Sequence, residues 1–179
     1  MLGLSGTFAS GKDTVANYLA EEHGFTHVST GDMIRHEAQM RGQKKLRDIL
    51  VAIGNELREA HGPGVLVERA LEHFGQSEHL VISGIRAVGE AEALKEAGGK
   101  LVFLDAPIGQ RYEWLRRRGR IGDETTLEQF KSDEERELNS AQNTRQNING
   151  VKRLANFELL NDRSQAELFA AVRGLLAQL

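Results

Sequence analysis

Gly6-Thr7-Phe8-Ala9-Ser10-Gly11-Lys12-Asp13-Thr14 decides how this chain is read. The stretch follows a short apolar run at 2–5 and opens a segment with Val15, Ala16, Tyr18 and Leu19 at helical spacing. Gly-x4-Gly-Lys between a strand and a helix is the phosphate-loop pattern. Gly6 and Gly11 allow backbone angles and close approach that a Cβ would block. The N–H groups from Ala9 and Ser10 to Thr14 then point into one concavity, and the helix N-terminus adds positive potential. Lys12 is placed to meet the β- and γ-phosphates of a nucleoside triphosphate. A glycine-rich turn without a ligand is the bland alternative, and the strand-loop-helix context speaks against it. Asp13 stands where Ser or Thr normally binds magnesium. A carboxylate can hold a hydrated Mg2+, and Thr14 can offer its hydroxyl to an α-phosphate. ATP and Mg2+ are therefore the expected cofactors.

Outward from the loop, apolar runs recur at 25–29, 80–83, 101–105 and 157–161. Short runs of Val, Ile, Leu and Phe suit strands of a buried parallel sheet. Helical periodicity lies between them. Leu46, Ile49, Leu50, Ile53 and Leu57 share a face over about 44–59, and Leu168, Val172 and Leu175 do so near the C-terminal end. Residues 161–164 offer caps to that last helix. The alternation predicts an α/β doubly wound fold over 1–179 as one domain. Residues 116–146 are dense in charge and read as a helical excursion, a candidate lid.

The 179 residues are 40% hydrophobic and 27% charged, enough for a sizeable core and too apolar for disorder. A net charge of −3 argues against a chain that coats nucleic acid. The absence of Cys excludes disulfides, thiolate metal sites and cysteine nucleophiles. No apolar run approaches a membrane span, and no basic segment precedes the first strand. The reading is a cytoplasmic monomer or weak dimer with a small-molecule substrate, and with neither nucleic acid nor membrane as partner.

The segment Ser29-Thr30-Gly31-Asp32-Met33-Ile34-Arg35 resembles the nucleoside monophosphate-binding motif of the adenylate kinase family, Ser-Thr-Gly-Asp-Met-Leu-Arg. Ser83-Gly84-Ile85-Arg86 is similar to that family's Asp-Gly-Phe-Pro-Arg, with Ser83 in place of the acid. Arg116-Arg117-Arg118-Gly119-Arg120 looks like the start of an arginine-bearing lid. Residues 57–64 and 133–138 resemble compact adenylate-kinase-related and dephospho-CoA-kinase-like proteins. The resemblance implies a P-loop NTPase-type three-layer fold, with five parallel strands in the order 2-3-1-4-5 and a helical lid at 116–146. It also implies an acceptor-binding helical segment at 31–75, and a kinase that passes the ATP γ-phosphoryl group to a nucleoside or deoxynucleoside monophosphate.

A phosphate monoester must sit beside another polyanion, and two guanidinium groups offset that repulsion. Arg35 and Arg86 are the expected pair, with Thr30 adding a hydroxyl or capping its helix. Asp32 is either near the metal and acceptor or an idle first-turn acid. Arg58 is either an acceptor contact or part of a solvated helix face. Glu90, four residues after Arg86, is either a reader of the acceptor base or a helix-surface acid. Arg116, Arg120 and Arg136 are either transition-state cations that arrive on closure or salt-bridged surface groups. Arg116 could also stack on the donor base, and Asn161 is expected on that base's other side. Tyr112 and Trp114 read as packing residues, and Asp105 as a structural strand-end acid. Two alternatives stand beside the main reading. One is dephospho-CoA kinase, which would need Asp32 or Glu90 as a base toward a ribose hydroxyl. The other is a nucleotide sensor without catalysis, suggested by Ser83 and Asp13.

Overall fold

In a computed structural model of the chain, residues 1–119, 124–139, 142 and 144–179 are described. The elements alternate as the apolar runs require. β1 (Leu2–Gly6) leads through the loop into α1 (Lys12–His23), and β2 (Thr26–Ser29) into α2 (Thr30–Met40). α3 (Arg47–His61) and α4 (Val65–Phe74) precede β3 (Leu80–Ile85), α5 (Val88–Glu96) and β4 (Lys100–Asp105). α6 (Ile108–Arg118), α7 (Leu127–Leu138), α8 (Ile148–Arg153), β5 (Phe157–Leu160) and α9 (Gln165–Leu176) complete the chain. The five strands form one parallel sheet in the order β2-β3-β1-β4-β5, as the resemblance implies.

Side chains alternate across each strand, so the sheet buries two faces. Leu2, Leu4, Val81, Val102 and Leu104 pack under α1 and α9, against Val15, Leu19, Leu168 and Val172. Leu80, Ile82, Ile85 and Leu101 pack on the other face, against Val67 and Ala70 of α4 and Ala91 and Leu94 of α5. A third cluster, Ile34, Ala38, Ile53, Leu57, Val65 and Leu66, joins α2, α3 and α4 into the helical segment beside the sheet. α3 starts at Arg47 rather than near 44, with exposed Leu46 as its cap residue. Ser164, within the expected capping stretch, caps α9 and forms a capping box with Glu167.

The described residues between 116 and 146 include the helix α7, as the charged stretch predicts, and they reach further into the interior than their charge suggests. α7 buries Phe130 fully and Glu134 and Glu137 almost fully. Phe130 packs between Phe8 and Tyr112, and Glu134 is paired with Arg111 of α6. These acids are interior because arginines from other elements meet them, which charge density along the sequence does not reveal. No helix among the described residues is long and apolar enough to cross a membrane.

Candidate functional site: a phosphate cradle facing an arginine wall

The C-terminal ends of the strands open onto a cavity of about 1120 Å3, where sites of doubly wound sheets form. Its floor is the loop after β1. Gly6 has φ 142°, and a Cβ there would fall on the Leu104 carbonyl oxygen. Gly11 has φ 99°, and its Cβ would come 2.6 Å from Asn161 Nδ2. Ala9 takes the left-handed conformation at φ 62°, a strained choice that the cradle imposes. No side chain caps α1, so its first-turn N–H groups serve the cavity side.

Lys12 is buried against this loop. Its Nζ donates to the Gly6 carbonyl at 3.0 Å, the Thr7 carbonyl at 2.6 Å and Ser10 Oγ at 3.3 Å. Burial lowers its pKa to about 7, and Arg86 adds like-charge repulsion while Asp13 opposes it. Thr14 and Asp13 line the cavity beside it. Asn161 also lines it, but its amide donates to the Ser10 carbonyl at 3.0 Å. The amide thus braces the phosphate loop rather than waiting for a base. Trp114, read as a packing residue, lines the cavity. Asp105 is structural, as expected: Thr7 Oγ1 donates to it at 2.8 Å and the Ala106 N–H at 2.9 Å.

Opposite the cradle stands a wall of cations from α2, α3 and β3. Arg35, Arg47, Arg58 and Arg86 all line the cavity, with Lys44 and Lys45 at its rim. Each of these arginines is paired with a carboxylate. Asp32 accepts from Arg35 Nε at 2.9 Å and Nη2 at 2.5 Å. Glu137 accepts from Arg47 at 2.8 Å and from Arg86 at 3.1 Å. Glu90 accepts from Arg58 Nε at 2.8 Å. None of these acids lines the cavity, and among the described residues Asp13 is the one carboxylate that does. Desolvation lowers the pKa of Arg86, and Glu137 opposes the shift.

Several expectations need correcting. Glu90 is fully buried and does not read a base: its second oxygen accepts the Arg86 N–H at 2.8 Å and the Ala87 N–H at 3.1 Å. Arg58 is correspondingly interior rather than on a solvated face, at 1% exposure. Asp32 is mostly exposed, does not line the cavity, and accepts both Arg35 bonds on the single oxygen Oδ1. Ser29, not Thr30, caps α2, while Thr30 Oγ1 donates to the Gly84 carbonyl at 2.8 Å and lines the cavity. Arg116 is 63% exposed, near Glu113, and Arg136 is 70% exposed and paired with Asp133. Neither lines the cavity, because each extends from an outer helix face toward solvent. Arg120 lies outside the described residues. Alanine at Arg116 or Arg136 is expected to leave steady-state turnover within about twofold of the parent.

Arg47, Arg118 and Ser83 were missed as site residues. Ser83 lines the cavity and its Oγ lies 2.8 Å from His27 Nε2. Desolvation lowers the His27 pKa, which keeps the imidazole neutral near pH 7.

Among known proteins, the family model described as AAA domain matches residues 3–131. A UPF0200 protein of Hyperthermus butylicus is 31% identical over 179 residues, covering 98% of this chain and 92% of that protein. This chain belongs to the UPF0200 family. Another UPF0200 protein, from Pyrococcus abyssi, is 33% identical over 169 residues, covering 90% and 87%. Among solved structures, shikimate kinase from Acinetobacter baumannii in complex with shikimate superposes with a TM-score of 0.61 at 17% identity. It covers 99% of this UPF0200 chain and 93% of that one. TT1252 from Thermus thermophilus gives 0.65 at 19% identity, covering 99% and 96%. These likenesses carry the fold alone, a five-stranded parallel sheet flanked by helices, and the chemistry has to be argued from this chain's residues.

Proposed function

We propose that this UPF0200 protein is a phosphotransferase that passes the γ-phosphoryl group of ATP to a phosphate-bearing acceptor, a nucleoside or deoxynucleoside monophosphate. The observation that carries the reading is the acceptor wall: four arginines line the cavity and none of the acids paired with them does. A hydroxyl acceptor needs a base to take its proton. A phosphate acceptor does not, because its attacking oxygen is already ionised. Apart from Asp13, which directly follows Lys12 in the donor cradle, the described lining offers cations and no carboxylate, which favours the phosphate.

In this reading the loop amides and Lys12 hold the donor, while Arg35 and Arg86 hold the acceptor dianion. An acceptor oxygen attacks the γ-phosphorus in line, and the bond from that phosphorus to the β-γ bridging oxygen breaks. The products are ADP and a nucleoside diphosphate, with no proton removed from the nucleophile. Positioning and charge stabilisation then supply the catalysis. The donor set suits Mg2+, which binds through one or two carboxylates plus substrate phosphates: Asp13 lines the cavity directly after Lys12. Bound there, Mg2+ would neutralise charge on the β- and γ-phosphates.

The contact between Ser83 and His27 favours a second reading, in which a hydroxyl acceptor such as dephospho-CoA loses its proton through that pair. ATP consumption against a panel of nucleoside monophosphates and dephospho-CoA separates the two. Turnover of a monophosphate is expected, with Arg35→Ala raising its KM about tenfold or more. Activity with dephospho-CoA alone would overturn the phosphate reading, and tight ATP binding without any turnover would leave a sensor.

A further inference from the structure

Phe8 lies inside the phosphate loop, where binding phosphate asks for amides and small residues rather than an aromatic ring. Its surroundings are unusual. The Arg47 guanidinium carbon lies 3.8 Å from the ring centroid, that of Arg118 5.6 Å and that of Arg86 5.7 Å. These distances fall within the range over which a ring attracts a cation. The three arginines come from the start of α3, the end of α6 and the end of β3, and all three line the cavity. Phe8 itself is fixed from two sides. Its carbonyl accepts from Arg111 Nη1 at 3.1 Å, and its ring packs against Phe130 with centroids 5.8 Å apart.

We infer that Phe8 is a positioning residue that gathers Arg47, Arg86 and Arg118 into one cationic cluster at the seam between donor and acceptor, where they stabilise the transferring phosphoryl group. This deepens the phosphotransferase reading and rests on it. Three guanidinium groups so close together repel one another. The ring's π-electrons offset part of that repulsion. Arg47 and Arg86 share the one Glu137 carboxylate, which leaves positive charge in excess on that pair beside Lys12. Fixed charge is what a loose phosphoryl-transfer transition state rewards, because no reorganisation is needed when the charge develops. The cluster fills the transition-state role that the sequence left open for Arg116, Arg120 and Arg136.

The test separates the ring's electrons from its bulk. Phe8→Leu keeps an apolar side chain against Phe130, Phe8→Tyr keeps an aromatic ring, and graded fluorination of Phe8 drains the ring with almost no change of shape. Two readouts are taken: kcat and KM for ATP with the best acceptor, and the affinity of ADP with aluminium fluoride, a planar mimic of the transferring group that needs no acceptor. Phe8→Leu should lower kcat and capture of the mimic about tenfold with little change in the KM for ATP, Phe8→Tyr should restore both, and capture should fall stepwise with fluorination. Equal capture across the fluorinated series overturns the proposal, even if Phe8→Leu fails to fold, because packing alone would then explain Phe8. Capture that follows the series while no monophosphate is turned over supports the cluster and strikes only the acceptor reading.

Discussion

Lys12→Ala is expected to lower phosphoryl transfer by about a thousandfold, the loss typical of removing a preorganised charge from a developing anion. In the free protein the Lys12 ammonium is spent on two carbonyls and the Ser10 hydroxyl of its own loop. Burial, followed by repulsion from Arg86, brings its pKa to about 7. A bound polyanion favours the charged form, so nucleotide binding at pH 8 should take up a proton. Titration calorimetry in buffers of different ionisation enthalpy reads that uptake directly, and affinity should weaken from pH 7 to 9. The folding linkage has a fixed sign. An unfolded lysine titrates near 10.5, so between about 7 and 10.5 the unfolded chain holds the extra proton. Stability without nucleotide therefore rises with pH across that window, and the cost of burying the charge is fully present below it. Lys12→Ala should lack this rise in Tm. A parent protein showing neither proton uptake nor the rise would put Lys12 in solvent, against the geometry.

What the sequence discloses and what it hides divide by distance along the chain. The cradle is local: nine consecutive residues between a strand and a helix carry its glycines, its lysine and its anionic neighbour. The strands are equally local, since each is a short apolar run, although periodicity gives only their alternation and not their order in the sheet. Thr30, Arg35 and Arg86 lie near strand ends and reach the cavity because strand ends are where the sheet stops. The acid that balances Arg47 and Arg86 was out of reach. Glu137 meets Arg86 across 51 residues and Arg47 across 90, and no pattern in the chain announces either pair. Arg47 looked like one charge among many at a helix start. Glu90 misled for a different reason. Its offset from Arg86 matched a base-reading position, yet at the start of α5 that same offset lets a carboxylate accept the Arg86 and Ala87 N–H groups.

Glu90→Ala is expected to cost about 3–5 kcal/mol of stability, the range for removing one member of a buried ion pair, and to lower Tm by roughly 10 °C. Glu90 is 0% exposed and receives three donors. Alanine would strand the Arg58 guanidinium, itself 1% exposed, and two backbone N–H groups at the end of β3. The loss would also reach the site, because Arg58 lines the cavity and the peptide after Ile85 aims Arg86 at it. A double-mutant cycle separates this account from a general packing defect. Glu90→Gln and Arg58→Met each leave the other partner buried and poorly matched, so each alone should be strongly destabilising. Together they remove both charges, and the amide oxygen that Glu90→Gln introduces can still accept the Arg86 N–H. The double variant should therefore recover about 2 kcal/mol relative to the sum of the single losses. Denaturant unfolding measures all four corners, and additive losses would mean that the pair is not what holds this wall. Recovery of fold in the double variant should not bring back acceptor affinity, since Arg58 is then gone from the cavity. Stability and acceptor binding would thus part company at one residue pair.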